Sequence, residues 1–249
     1  MRVSNICSDN LVQVETMNKW IFGLMTMLAL CNGVAYADAF DKGFAAYKLG
    51  NYAEASKIFN SLAAKGNISA QFNLGLMYYN GQGVPKDYKN AAKWYRMAAE
   101  QGNAKAQYNL GFMYDTGLGV KQDYQEAVKW YRLAAVQGNA AAQSNLGLMY
   151  YKGLGVTQDH QEAVMWYRQS AAQGNALAQS NLGMMYYKGE GVAQDYVRAH
   201  MWLNLAAAKG ASLAPENRDK LAQSMTPAQI AEAQELARVC ERRFYKRCD

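Results

Sequence analysis

The sequence is poor in the residues that most often carry metal-dependent or acid–base chemistry. Only two histidines occur in 249 residues, His160 and His200, and neither has cysteine or carboxylate neighbours at the spacing of a metal site. The aspartates and glutamates fall where helices are expected to begin or to face solvent, so no carboxylate pair is placed for general acid–base catalysis. We therefore predict no metal site, no cofactor and no enzymatic activity.

A basic stripe is also absent. The net charge is +6 at pH 7, but the cations are scattered, whereas a nucleic-acid-binding protein concentrates them on one face. Nucleic acid is therefore not an expected partner. One basic cluster lies near the C-terminus and consists of Arg238, Arg242, Arg243, Lys246 and Arg247.

Long apolar runs are missing except near the start of the chain. A basic residue precedes the run Trp20–Cys31, and small residues follow it up to Ala37, which is the order of a secretory signal peptide. We predict that residues 1–37 hold such a signal, with the true start at Met17 and cleavage between Ala37 and Asp38. The mature protein would then be periplasmic or secreted. The alternative is an uncleaved run that anchors the chain in a membrane.

Cysteine is scarce, and its placement is informative. Of the four cysteines, only Cys240 and Cys248 would remain after cleavage, and an even number in an oxidising compartment indicates one disulfide. The alternative is two free thiols. Eight helical residues span roughly 12 Å, whereas a disulfide needs Cα atoms within about 7 Å. Pairing therefore requires the helix to end between the two cysteines, near Arg243.

What the sequence has in abundance is internal repetition. Four near copies of a 36-residue unit begin at Asn67, Asn103, Asn139 and Asn175. A fixed period of this length is typical of a solenoid, in which stacked helix pairs bury their apolar faces against their neighbours.

The unit Asn103–Gly138 shows how one repeat is built. Helix A is predicted over Ala104–Asp115, and Gly111 within it lets the partner helix approach closely. Helix B is predicted to begin at a cap formed by Asp123 and to end at Gly138. The identical glutamines of the four repeats, such as Gln107, and the identical asparagines two residues later are expected to bond backbone groups of a neighbouring loop, with a ligand role left open.

These repeats carry a resemblance to a known family. The pattern A-x-x-x-L-G-x-x-Y-x-x-G-x-G-V-x-x-D-x-x-x-A-x-x-W-x-x-x-A-A-x-x-G over Asn67–Gly210 resembles the Sel-1-like repeat, a relative of the tetratricopeptide repeat. The resemblance implies an all-α fold, a right-handed α/α superhelical solenoid, with a scaffold role. Some secreted members have been labelled β-lactamases, but that chemistry needs a serine followed by lysine one turn later, and no serine here has one.

The predicted organisation follows from the repeats. In chain order it comprises the signal peptide 1–37, a shortened capping repeat 38–66, the four repeats 67–102, 103–138, 139–174 and 175–210, and a C-terminal helical cap with the basic tail, 211–249. Within that cap we predict a short helix near 215–224 and a second that starts at Thr226 as its N-cap.

The same resemblance implies a binding face. The third, sixth, tenth and thirteenth places of each repeat share one face of helix A, which lines the concave groove of tetratricopeptide proteins. The predicted partner-binding residues are Phe72, Leu76, Tyr79, Lys105, Tyr108, Phe112, Asp115, Leu148, Tyr151, Met184 and Tyr187. Ser144 and Ser180 take the place of the aromatics in the last two repeats, which predicts an open end there. The alternative is that the aromatics pack between adjacent A helices.

We therefore predict a monomeric, non-catalytic adaptor of the bacterial cell envelope that binds a partner peptide or loop on its concave face. One alternative is an envelope-binding protein that uses the basic tail to hold glycan or an anionic surface. A secreted hydrolase is the least favoured, because a nucleophile and a base are missing.

Overall fold

The computed structural model describes residues 39–246 and 248, and regular structure in this part of the chain is α-helical throughout. The predictions of a signal peptide over 1–37, of Met17 as the start, and of Arg247 as part of the basic tail concern residues outside the described ones. The chain divides into two compact units, the first ending at Lys86 and the second beginning at Asp87.

The first unit contains three helices. Residues 39–48 form α1, Tyr52–Ala64 form α2 and Ile68–Asn80 form α3. Phe59 is fully buried, and its ring lies 5.6 Å from that of Phe40, centroid to centroid. Leu62, Leu74 and Met77 are buried in the same unit and complete its apolar core.

The second unit contains nine helices among the residues described. They are α4 Tyr88–Glu100, α5 Ala104–Thr116, α6 Tyr124–Val136, α7 Ala140–Lys152, α8 His160–Ala171, α9 Ala176–Lys188, α10 Tyr196–Ala208, α11 Ala214–Ala222 and α12 Pro227–Arg242. Helices α4 to α10 stack in chain order, each against the next. The predicted all-α solenoid fold is confirmed.

Side chains and glycines fix where these helices begin and end. The Asn103 side chain accepts a hydrogen bond from the backbone N–H of Ala106 at 2.9 Å, and Asp123 accepts one from Glu126 at 3.1 Å. Each cap satisfies a backbone donor that the first helical turn leaves unpaired. Gly117, with φ of 74°, ends α5 in the left-handed conformation. The predicted cap at Asp123 is confirmed.

The helices of one repeat approach closely at a glycine. A Cβ atom on Gly111 would lie 2.7 Å from Cδ1 of Tyr131 on α6, a distance that real Cβ contacts do not show. Tyr131 is fully buried there, as are Leu110 and Met113. The prediction that Gly111 permits close packing is confirmed, and the aromatic ring is the reason that it is needed.

The identical glutamines tie successive helix pairs together. The Gln107 side chain donates to the carbonyl oxygen of Ala99 at 3.0 Å and accepts from the side-chain amide of Gln137 at 2.7 Å. Gln143 repeats both contacts one unit later. The prediction that they satisfy backbone groups is confirmed, but the acceptors lie at the end of the preceding B helix and not in a loop.

The C-terminal helices close the stack. Leu221 of α11 and Ala237 and Cys240 of α12 are buried in one apolar cluster with α10. Helix α12 starts at a capping box formed by Thr226 and Gln229 and ends at Arg242. Both predicted helices are present. The chain then turns, and Cys240 and Cys248 are joined by a disulfide with Cα atoms 5.2 Å apart.

Candidate functional site

The predicted aromatic end of the binding face is partly a packing surface. Tyr108 and Phe112 are half-buried and lie against the apolar cluster that contains Ala127 and Tyr131. The Tyr108 and Tyr131 rings are 5.9 Å apart, centroid to centroid. These aromatics therefore pack with part of each ring, and the ring contact of Tyr108 is with the B helix α6 rather than with an adjacent A helix. In the first unit, Phe72, Leu76 and Tyr79 are likewise half-buried on α3.

The polar members of the face in the second repeat differ in exposure. Lys105 is exposed, whereas Asp115 is half-buried and accepts a hydrogen bond from the Tyr131 hydroxyl at 3.2 Å. Burial raises the pKa of the Asp115 carboxyl, although that hydrogen bond and the charge of Lys152 both act to lower it. Asp115 is thus held in place by the core and is not a freely solvated charge.

The predicted open end at the last two repeats was wrong in one respect. Ser144 and Ser180 are buried, with exposures of 2% and 9%. The hydroxyl of Ser144 has no hydrogen-bond partner among the described residues. Spacing along the helix therefore did not translate into exposure. Ser180 nevertheless forms part of the wall of a cavity.

The first cavity of the second unit lies between α7 and α9. Its volume is about 210 Å³, and its walls are Leu148, Tyr151, Tyr167, Asn181, Met184, Met185, Lys188 and Glu190. Three of the predicted face residues, Leu148, Tyr151 and Met184, therefore come together in it. Its floor is apolar and aromatic, as is usual for sites that hold a side chain of a ligand.

A polar cluster stands at one side of this cavity. The Tyr151 hydroxyl donates to the Glu190 carboxylate at 3.1 Å and accepts from the Lys188 ammonium at 3.1 Å, and Lys188 and Glu190 are 3.6 Å apart. The hydrogen bond to Tyr151 is the main reason that the pKa of Lys188 is raised. The His160 ring stacks on Tyr151 with centroids 5.2 Å apart, which restricts the tyrosine further.

A second cavity continues along α9. Its volume is about 370 Å³, and its walls are Ala176, Leu177, Ser180, Asn181, Met184, Gly210, Ala211, Ser212, Leu213 and Asn217. Asn181 and Met184 belong to both cavities. We refer to the two cavities together as the α9 groove. Leu177 and Leu213 at its edge are 54% and 64% exposed.

Asparagine side chains connect the groove to the core. Asn145 donates to the Tyr131 hydroxyl at 3.0 Å, and Asn181 bonds the hydroxyl of Tyr167. Burial is the largest cause of the raised pKa of both tyrosines. The expectation that these asparagines serve neighbouring loops is corrected for these two residues, because their partners are tyrosine hydroxyls on the preceding B helix.

The remaining predicted residue of the face lies elsewhere. Tyr187 packs on the core cluster of α9 and α10. Its ring centroid lies 5.8 Å from that of Tyr196, and the residue lines neither cavity. Sequence reasoning missed Lys188 and Glu190, whereas it had left a ligand role open for Asn181. Glu190 could have been noticed, since leucine occupies its place in the two preceding repeats.

The described residues give no sign of a metal centre or of a membrane span. In residues 39–246 and 248, no cluster of three or more histidine, cysteine, aspartate or glutamate side chains could hold a metal ion. None of the helices described is both long enough and apolar enough to cross a bilayer. His200 is buried, which lowers its pKa, and its Nδ1 has no hydrogen-bond partner among the residues that the structure describes.

Comparisons with known proteins agree with this architecture. The Sel1 repeat matches four successive segments, 68–103, 104–139, 140–175 and 176–210. A comparison with curated proteins found no match.

Two solved structures are similar to the chain. One is a protective antigen present in uropathogenic Escherichia coli strains that displays an SLR fold. Its sequence is 37% identical to this chain and the TM-score is 0.73. The match covers 83% of this chain and 46% of the antigen. The chain thus spans about half the length of that antigen. The other is a Sel1 repeat protein from Oxalobacter formigenes, with 39% identity, a TM-score of 0.67, and 71% and 70% of the two chains covered.

Proposed function

The chain belongs to the Sel1 repeat family, whose members generally mediate protein–protein interactions, and from this premise we infer that it is an adaptor of the bacterial cell envelope. We propose that it binds an extended segment of a partner protein in the α9 groove. The family is generally a non-catalytic scaffold, so the proposed activity is binding alone.

One observation carries the proposal, namely that two cavities meet at Asn181 and Met184. An extended segment places alternate side chains on the same side, so two of them can enter neighbouring cavities. Leu148 and Met184 offer apolar contact at the floor of the α9 groove, and the exposed Leu177 and Leu213 at its edge add further apolar surface. Apolar side chains of the partner are therefore the expected anchors.

Polar groups of the groove suit the backbone of such a segment. A peptide backbone brings unpaired N–H and C=O groups that need partners when they leave water. Asn181 and Tyr151 can offer hydrogen bonds in the groove, and the Lys188–Glu190 pair supplies one charge of each sign. An extended peptide fits this combination better than a wholly apolar ligand would.

The envelope setting rests on two supports. A disulfide is typical of proteins that work in an oxidising compartment, and Cys240 and Cys248 form one. The predicted signal peptide would export the chain to such an oxidising compartment. We propose the periplasm or the exterior of the cell as the site of action.

The proposal is tested by selecting peptides from a random displayed library on the oxidised full chain and measuring their affinity by fluorescence anisotropy. The groove variant is Leu177→Glu/Leu213→Glu, which alters two exposed side chains at the edge of the second cavity. The matched control is Leu133→Glu/Val136→Glu, two exposed apolar residues of α6. We expect selected peptides to bind the groove variant at least about tenfold more weakly, a loss of about 1.4 kcal/mol, and the control as tightly as the wild type.

Equal weakening in both double variants would contradict the proposal, because it would show a general effect of added negative charge. Selected peptides that bind the groove variant as well as the wild type would place the site elsewhere. Circular dichroism of each variant is needed to show that the helices are intact.

A further inference from the structure

The turn that follows α12 has an unusual backbone. Phe244 and Tyr245 have φ angles of 51° and 62°, and they are the non-glycine residues with positive φ in the described part of the chain. Residues with a Cβ atom are disfavoured in this region, and two in succession persist only where the surroundings hold them. We call residues 243–246 the terminal turn.

Several contacts hold the terminal turn in this conformation. The Cys240–Cys248 disulfide closes the chain around it, and the backbone N–H of Tyr245 donates to the carbonyl of Cys240 at 2.9 Å. The Tyr245 ring lies against Gly174, where a Cβ atom would come within 3.1 Å of it. The Lys209 ammonium is 5.0 Å from the centre of the same ring.

Anchoring of Tyr245 leaves its neighbour facing solvent. Phe244 is 79% exposed, and Arg243 and Lys246 beside it are exposed as well. Two further exposed cations, Arg238 and Arg242, share the single carboxylate of Glu235. The terminal turn therefore presents an exposed phenyl ring, on a backbone that is held in place, beside an excess of positive charge.

We propose that the terminal turn docks onto an anionic lipid surface. Phe244 would enter the boundary between headgroups and acyl chains, and Arg243 and Lys246 would meet the lipid phosphates. Exposed aromatic and basic side chains together are typical of interfacial binding, and clustered cations are attracted to anionic lipid. Protein interfaces are also enriched in aromatic residues and arginine, but their cores are packed apolar patches, whereas the terminal turn exposes a single large apolar side chain, Phe244.

The inference is independent of the α9 groove, since none of these residues lines either cavity. The terminal turn would place the protein at a membrane surface while the groove stays available for a peptide. Failure of either idea leaves the other standing.

The test is co-sedimentation of the oxidised full chain with vesicles of phosphatidylglycerol and phosphatidylcholine, compared with vesicles of phosphatidylcholine alone. We expect binding to the anionic vesicles only, falling as salt is raised. Phe244→Ala and Arg243→Gln/Lys246→Gln should each weaken it roughly tenfold. The controls Val136→Ala and Lys93→Gln/Lys121→Gln, which change exposed residues, should bind as the wild type does.

The role of the locked conformation is tested separately. Cys240→Ser/Cys248→Ser keeps Phe244 and the cations but releases the terminal turn, and we expect it to bind the anionic vesicles several-fold more weakly because ordering must then accompany binding. Equal binding of wild type to both vesicle types would overturn the proposal, as would full binding by Phe244→Ala. Retention of the chain by the acidic polysaccharide alginate and not by vesicles would assign the terminal turn to glycan instead.

Discussion

Lys209 lies over the ring of Tyr245, with its ammonium nitrogen 5.0 Å from the ring centre. In the second and third repeats the same place holds Gln137 and Gln173, whose amides bond the glutamine of their own helix A. Lys209 is turned toward Tyr245, and the side-chain carbonyl oxygen of Gln179 is buried with no hydrogen-bond partner in the described part of the chain. The fourth repeat thus gives up one inter-helix hydrogen bond at the contact with the terminal turn.

Lys209→Gln should restore that hydrogen bond. Leaving a buried acceptor unpaired costs about 1–3 kcal/mol, so we expect the free energy of unfolding to rise by about 1 kcal/mol in urea denaturation. Lys209→Met, which removes the charge but offers no donor, is the matched control and should not stabilise the chain. An equal rise in both variants would show that the lysine charge, and not the Gln179 carbonyl, is responsible.

Gly147→Ala should destabilise the third repeat. A Cβ atom at this position would lie 2.8 Å from Cδ1 of Tyr167, and overpacking costs about 1–3 kcal/mol, which exceeds the roughly 1 kcal/mol that alanine gains over glycine in a helix. We expect a net loss of up to about 2 kcal/mol in the free energy of unfolding. In a double-mutant cycle with Tyr167→Ala the loss should vanish. A stabilising Gly147→Ala would contradict the close-packing account.

Asp115 should make stability depend on pH. Burial raises the pKa of its carboxyl above the ordinary value of 3.8, so its protonated form is favoured in the folded state. Its contribution to the free energy of unfolding is therefore present below pH 3.8 and is lost as pH rises through the folded pKa. Asp115→Asn cannot ionise, and its stability should fall less from about pH 3 to about pH 7. A variant whose stability falls as steeply as that of the wild type over this range would contradict the account.

Opening the disulfide should lower stability without unfolding the repeats. The bonded cysteines are eight residues apart, and a loop of this size contributes about 2.5 kcal/mol in the chain-entropy estimate. We expect Cys240→Ser/Cys248→Ser to lose up to about that amount in urea denaturation. A thiol reductant should bring the wild type to the same value and leave the variant unaffected. Full stability of the reduced wild type would show that the terminal turn adds nothing to the fold.

The repeats could be predicted from sequence because each depends on local rules used several times. Asn103 and Asp123 cap helices through their own side chains, and Gly111 marks a close approach that recurs. Such features depend on short-range geometry, and repetition shows which of them are constant.

The groove could be predicted only in part. Helical spacing placed Leu148 and Tyr151 on one face of α7, and the repeat places Met184 at the matching position of α9, so the three line one cavity. It could not tell that Ser144 and Ser180 would be buried, since burial depends on the size of neighbouring side chains in other repeats. Glu190 lies in a loop, where spacing along a helix gives no guidance.

The measurement that tests the central claim most directly is the methyl spectrum of the chain labelled with ¹³C at its methionine methyl groups, recorded as a selected peptide is added. Met184 and Met185 line the first cavity, whereas Met165 is partly exposed on α8 and lines neither cavity. Substitution of each by leucine assigns its signal. The account predicts that the Met184 and Met185 signals shift to saturation while the Met165 signal stays fixed. A shift at Met165 with Met184 and Met185 unchanged would contradict it.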